Sequence, residues 1–137
     1  MGDIRISYKE PWLRVHLNSL LAAYRAAPYF DYVYPDLESV LRRKPDTLWE
    51  LNLGLFVFLV QRLKAEVNLQ FSQEYALKQN EEDGRTLFHP KTPLPYQEPY
   101  GQVFQEKFGF RSGMSVIDLM MNYLPGAREY LMQQVLQ

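Results

Sequence analysis

Cysteine is absent from the 137-residue sequence, which excludes disulfide bonds, thiolate nucleophiles and cysteine-ligated zinc. Histidine is scarce, because only His16 and His89 occur, and their wide separation does not form a metal-ligand motif. Walker and GxGxxG glycine loops, which cradle nucleotide phosphates, are also missing. We therefore expect neither a metal nor a cofactor. Lack of cysteine suits a reducing compartment, and no signal peptide is evident, so we expect a cytoplasmic location.

The sequence has neither an excess of positive charge nor a long hydrophobic run. Lys and Arg number 15 against 16 Asp and Glu, a net charge of −1, whereas nucleic-acid-binding domains are strongly basic. The most apolar run, Leu51 to Val60, has ten residues, and a membrane-spanning helix needs about 20. We therefore expect no nucleic-acid partner and no membrane span, and we interpret this run as a buried helix.

Apolar residues make up 47% of the sequence, and most of them recur at helical spacing. Prolines suit the first helical turn and end a preceding helix, so Pro11 opens the first helix, Pro28 closes it, and Pro45 closes the second. Helices are predicted over 11–27, 36–43, 47–63, 101–108, 115–122 and from 125 to the C-terminus.

The strongest helix signal begins at Thr47, where Thr47 and Glu50 have the spacing of a capping box. The residues that follow are apolar on most sides of the helix, so we predict that this helix is the central one. Gly54 lies inside it, at a cost of about 1 kcal/mol relative to alanine. That cost predicts close packing of another element against Gly54.

Two segments alternate apolar and polar residues, Ile4–Tyr8 and Val67–Tyr75, and we predict that they pair as strands. The sequence therefore predicts a mainly α fold, a compact helical domain of five to six helices with a minor two-stranded β element. Residues 1–137 are interpreted as a single domain. Surface loops are predicted over 76–86 and 90–99, the second because it is rich in proline.

Several strings of the sequence resemble the WbqC-like protein family. They include the IRISY segment, the Trp12-x-x-x-His16 spacing, AYRAAPYFDY, the LxxLN pattern of 48–52 and the FHPK block of 88–91. The most specific is PYGQVFQEKFGFRSGMSVIDLMMN, residues 99–122. One departure is Tyr123-Leu124-Pro125-Gly126, where the family usually has Gly-Pro after the asparagine.

The resemblance implies a role in O-antigen or other surface-polysaccharide biosynthesis, with glycyl or other acyl transfer to an activated sugar as the suggested reaction. Family members normally begin with further strands before the IRIS segment. We therefore expect this chain to be the C-terminal part of a longer protein or a naturally short relative. The surface left open by the missing strands predicts self-association.

Two histidines and a lysine are candidates for chemistry. His16 suits a general base with a pKa near neutrality, although a boundary histidine bonded to backbone is an equally simple interpretation. His89 and Lys91 flank Pro90, which would hold both side chains at fixed positions, with Lys91 facing a substrate phosphate. The alternative is a stiff connector without a ligand.

Further candidates lie in the C-terminal part of the family-like pattern. Tyr100 and Gln102 would hydrogen-bond a sugar hydroxyl, and Asp118 and Asn122 share one face of a predicted helix. Ser115 precedes Asp118 by three residues, so helix capping explains Ser115 without a catalytic role. The predicted catalytic residues are His16, His89 and Asp118, and the predicted substrate-binding residues are Trp12, Lys91, Tyr100, Gln102 and Asn122.

Two functional hypotheses remain open at this point. The first is a transferase whose small-molecule substrate is a nucleotide-sugar or an aminoacyl donor, and it requires the candidate residues to converge on one cleft. The second is a non-catalytic protein-interaction domain of the same pathway, and it requires an apolar surface patch for a partner.

Overall fold

Helices account for most of the structure, a computed structural model that describes residues 4–71 and 96–134. The helices are α1 (Trp12–Tyr24), α2 (Phe30–Arg42), α3 (Leu48–Arg62), α4 (Gln105–Phe108), α5 (Val116–Tyr123) and α6 (Ala127–Gln133), with a 3₁₀ turn at Leu124–Gly126. The predicted mainly α fold is confirmed. No helix among these residues is long and apolar enough to cross a membrane.

The core forms where α2 packs against α1, α3 and α5. Val33 of α2 and Met120 and Met121 of α5 are fully buried side chains. One side of α2 carries a continuous buried stripe at helical spacing: Phe30, Val33, Tyr34, Leu37 and Leu41. The helix with the deepest contacts is therefore α2, and the prediction that α3 is central is wrong.

The predicted boundary of α2 is also wrong, because the helix begins at Phe30 and not at Asp36. Pro35 lies inside it, where proline removes a backbone hydrogen bond and crowds the preceding turn. Burial of Phe30, Val33 and Tyr34 on one face of this first part of the helix offsets that cost. The apolar spacing of these residues was the better signal, since tertiary packing overrides local propensity.

The start of α3 forms as predicted from the capping box. The Glu50 amide donates to Thr47 Oγ1 at 3.2 Å, and the Thr47 amide donates to Glu50 Oε2 at 3.1 Å. The predicted close approach at Gly54 is confirmed as well. A Cβ at this position would stand 3.3 Å from Val40 Cγ1 of α2, so glycine allows the two helices to pack closely.

One face of α3 is apolar and exposed among the residues that the structure describes. Phe58 is the buried residue of this helix, while Trp49, Phe56 and Val57 are exposed. Phe71 follows α3 in the chain and contacts Trp49 edge-to-face, with ring centroids 5.3 Å apart. Apolar residues all round α3 thus reflect packing on one side and an apolar surface on the other.

The described residues of the two predicted strands form no strand, and the first segment instead makes a short contact at the start of α3. Arg5 and Thr47 form an antiparallel bridge, and Leu48 donates its amide to the Ile4 carbonyl at 2.9 Å. Residues 67–71 have no strand structure, and 72–75 lie outside the described residues, as does the predicted loop 76–86. Residues 96–99 of the second predicted loop have no regular secondary structure.

Replacing Thr47 by alanine should lower the free energy of unfolding by about 1 kcal/mol, because the Glu50 amide loses its acceptor. Thr47→Ser keeps a hydroxyl at the cap and serves as the matched control. Urea denaturation followed by far-UV circular dichroism measures both variants. Equal stability of the alanine and serine variants would contradict a stabilising role for this cap.

Candidate functional site

A buried carboxylate, Asp118, stands in the first turn of α5. Ser115 caps this helix by accepting a hydrogen bond from the Ile117 amide at 3.2 Å, as the sequence predicts. The Asp118 side chain is therefore not used in capping. It points into the protein and is only 4% exposed. A charged group so deeply buried needs hydrogen-bond partners to offset its loss of hydration.

Two neutral donors from the segment before α4 bind the same oxygen of Asp118. Tyr100 donates its hydroxyl to Asp118 Oδ2 at 2.6 Å, and Gln102 donates from Nε2 to Oδ2 at 3.2 Å. Hydrogen bonds to an ionised acceptor are short and about twice as strong as neutral ones. Tyr100 also contacts Phe110 and Tyr130 edge-to-face, which holds its ring in place.

A second phenol, Tyr24 at the end of α1, lies beside the same carboxylate. Burial, followed by the charge of Asp118 and a hydrogen bond to it, raises the pKa of Tyr24 to about 12. Burial is also the main cause that raises the pKa of Tyr100, followed by its hydrogen bond to Asp118. Both tyrosines are therefore neutral donors at physiological pH.

Asp118 forms the floor of a cavity of about 320 Å³. Tyr24 and Gln102 line the cavity beside the carboxylate, and Arg111 lines it from the loop between α4 and α5. The remaining lining is mainly apolar, with three exposed side chains: Phe104, Phe108 and Met114. The site combines a small polar centre with apolar walls, which is the usual composition of a small-molecule site.

Two glutamines hold the loop between α4 and α5 in place. Gln102 accepts from the Arg111 amide and donates to the Arg111 carbonyl, both at 2.9 Å. Gln97 accepts from the Gly113 amide at 2.7 Å. Gly109 and Gly113 have φ angles of 69° and 72°, which favour glycine. Gln102 thus couples the position of this loop to Asp118.

Three of the predicted site residues meet in this cluster: Tyr100, Gln102 and Asp118. Asn122 is buried one turn further along α5 and donates its amide to the Asp118 backbone carbonyl at 2.8 Å, so its side chain supports the helix. Asn122 is not among the residues that line the cavity.

The two N-terminal candidates lie elsewhere. His16 is exposed on α1 and does not line the cavity. Trp12 donates its indole N–H to the Ser7 carbonyl at 2.9 Å and stacks on Tyr8 with centroids 5.6 Å apart. The other two candidates, His89 and Lys91, lie outside the described residues.

Sequence reasoning missed Tyr24 as a site residue, because the sequence places it in the apolar stripe of α1. Its hydroxyl was the available signal, since a buried phenol normally finds a polar partner. Arg111 and the exposed Phe104 and Phe108 were also missed, and only the folding of the 100–114 segment onto α5 brings them to Asp118.

The chemistry open to this site follows from one carboxylate and its neutral donors. Asp118 can accept a proton or bind a hydrogen-bond donor of a ligand, and Gln102 and the two phenols fix its orientation. The described residues contain no group of three acidic or histidine side chains that would hold a metal ion. The arrangement therefore suits acid–base and binding roles for Asp118.

Comparison with known proteins gives one match. A family model described as the WbqC-like protein family matches residues 1–92, more than half of the chain. No curated protein and no solved structure matches the chain. The residues around Asp118, from Tyr100 onward, lie beyond the matched range, so the case for this cavity is built on geometry.

Stability should fall as pH rises above 10, since the pKa of Tyr24 in the folded protein is about 12 against an ordinary value of 10.0. The unfolded chain releases the phenolic proton first, so this contribution is complete below pH 10 and is lost between pH 10 and about 12. Urea denaturation at pH 9 and pH 11 should show a smaller loss for Tyr24→Phe than for the natural protein. Equal losses would show that Tyr24 titrates normally.

Tyr100→Phe and Asp118→Asn should be coupled by about 1 to 3 kcal/mol in a double-mutant cycle, because the first removes the donor and the second removes the charge of the acceptor of one buried hydrogen bond. Chemical denaturation of the four proteins gives the coupling energy. Tyr8→Phe also removes a single hydroxyl bond, to the Pro45 carbonyl, and should show no coupling to Asp118→Asn. Coupling of similar size in both cycles would contradict a specific Tyr100–Asp118 interaction.

Proposed function

Because the chain belongs to the WbqC-like protein family, we propose that it is a transferase of O-antigen or other surface-polysaccharide biosynthesis, with Asp118 at its reaction site. The proposed reaction moves a glycyl or similar acyl group from an activated donor to a sugar. The observation that carries the proposal is the buried Asp118 carboxylate, oriented by Tyr100 and Gln102 at the floor of the cavity.

In the proposed step Asp118 acts as a general base. It takes the proton from the attacking hydroxyl or amine of the acceptor while the new bond to the acyl carbon forms. The bond between the acyl carbon and its leaving group breaks, and the leaving group departs with the electron pair. Tyr100 and Gln102 both donate to Asp118 Oδ2 and so hold the carboxylate in a fixed orientation for the acceptor.

The proposed substrates are a nucleotide-sugar and an aminoacyl donor, which supports a cytoplasmic location, where such activated molecules are made. Arg111 lines the cavity and supplies a positive charge for an anionic part of either substrate. His16, His89, Lys91 and Trp12 remain predicted site residues. His89 and Lys91 stand in the segment just before Tyr100, and Lys91 is assigned to a substrate phosphate.

A specific observation also favours the alternative, a protein-interaction domain of the same pathway. The outer face of α3 exposes Trp49, Phe56 and Val57, and exposed aromatic residues mark many protein interfaces. This face would also serve the predicted self-association. The two functions are compatible in one chain, but only the transferase requires Asp118.

The transferase proposal is tested by incubating the protein with aminoacyl donors and nucleotide-sugars and detecting acylated sugar by mass spectrometry. Asp118→Asn should lower the rate by about 10²- to 10⁴-fold, the usual contribution of a general base. Tyr8→Phe loses one distant hydrogen bond and should leave the rate unchanged.

Thermal denaturation of each variant controls for folding. An unchanged rate in Asp118→Asn would remove Asp118 from the reaction. The interaction-domain function would be favoured instead if no donor and acceptor pair gave product, and if Phe56→Ser abolished self-association measured by light scattering.

A further inference from the structure

The floor of the cavity carries a negative charge without a positive partner among the residues that the structure describes. The ion pairs among the described residues join Arg42 to Glu38 and Arg62 to Asp36, and neither pair includes Asp118. The groups bonded to Asp118 Oδ2, the Tyr100 hydroxyl and the Gln102 amide, are both neutral. Neutral donors reduce the cost of burying the carboxylate, but they leave its charge in place.

The walls of the cavity offer aromatic surface to a ligand. Phe104 and Phe108 line it, are 51% and 52% exposed, and have ring centroids 6.5 Å apart. The Lys107 ammonium lies 5.1 Å from the centroid of the Phe108 ring, so this protein's own cation already interacts with that ring. These rings also offer apolar surface to the C–H face of a sugar.

Arg111 is the cation that lines the cavity, and it determines how a ligand would be oriented. It is an exposed residue of the loop between α4 and α5, whereas Asp118 is buried at the floor. Charge complementarity therefore directs a positive group toward Asp118 and a neutral or negative group toward Arg111. A ligand with hydroxyl groups alone would leave the carboxylate charge uncompensated.

We propose that the acceptor presents a protonated primary amine to Asp118, as a 2-amino sugar does, with its ring against Phe104 and Phe108. This inference rests on the proposed function, since it names the acceptor class of the same cavity. It replaces the general expectation of a sugar hydroxyl or amine by an amine. For transfer, Asp118 first takes one proton from the ammonium, which frees the nitrogen lone pair to attack the acyl carbon. The second N–H proton then leaves with the departing group, which takes the electron pair of the broken bond. The ammonium donates a charge-assisted hydrogen bond to Asp118, which is the stronger type.

The test compares glucosamine with glucose, which differ by an amino group in place of one hydroxyl, in calorimetric titrations of the full chain. At about pH 6 the amine is protonated, because an amine of this kind titrates near pH 8. Glucosamine should bind at least about tenfold more tightly than glucose. N-acetylglucosamine, whose amide is neutral, should lose the advantage.

Two variants test which residue causes the preference for glucosamine over glucose. Asp118→Asn preserves the shape of the side chain without its charge and should make the affinities for glucosamine and glucose equal. Arg111→Gln should leave the preference for glucosamine in place. If Asp118→Asn does not fold, the comparison of the three sugars with the natural protein still decides the question.

Each outcome separates this inference from the proposed function. Equal affinity for glucosamine and glucose would contradict the proposed amine acceptor but would still be consistent with a sugar-binding site. A preference for glucosamine that survives Asp118→Asn would overturn the assignment to this carboxylate. No binding of any sugar by a folded chain would overturn both the inference and the proposed sugar acceptor.

Discussion

The hydrogen bond from Tyr100 to Asp118 is the contact on which the candidate site depends. It joins the irregular segment before α4 to the first turn of α5, and Tyr24 brings the end of α1 to the same carboxylate. A buried charge is costly unless donors surround it, so bringing Tyr100, Gln102 and Tyr24 to Asp118 lowers the cost of burying that carboxylate. Gln102 connects the loop that carries Arg111 to the same carboxylate, because its side-chain amide donates both to the Arg111 carbonyl and to Asp118 Oδ2.

Connecting elements of a protein through a buried carboxylate costs free energy, because the charge loses its hydration. Apolar replacements of similar shape often stabilise a fold as well as a buried charge does. The cavity next to Asp118 gives the charge a second purpose, since a ligand that enters it meets an oriented carboxylate. This combination of burial, orientation and access links the stability of the site to its proposed chemistry.

The arrangement of helices places two different surfaces on the protein. Because α2 is central, α1 and α5 pack on it and bring Tyr24 and Asp118 together. The same arrangement leaves α3 at the outside, joined to α2 at Gly54, with Trp49 and Phe56 facing outward. A ligand cavity and an apolar helix face are therefore separate features, and each supports one of the two functions considered for the family.

Local signals in the sequence were sufficient where neighbouring residues decide the outcome. The capping box of Thr47 and Glu50 and the cap at Ser115 follow from short-range backbone chemistry, and both form. The close approach at Gly54 follows from the cost of glycine in a helix. Tyr100, Gln102 and Asp118 were predicted as site residues from their pattern, which did not specify that they bond to one another.

Tertiary structure decided the features that depend on residues distant in sequence. Pro35 stays inside α2 because burial of Phe30 and Val33 outweighs a local backbone preference. Apolar residues all round α3 do not reveal which side is packed, because the helical period is the same for a core face and for an interface. Tyr24 belongs to the site because the fold brings the end of α1 close to α5. Sequence periodicity could not predict this contact, since Tyr24 and Asp118 are 94 positions apart.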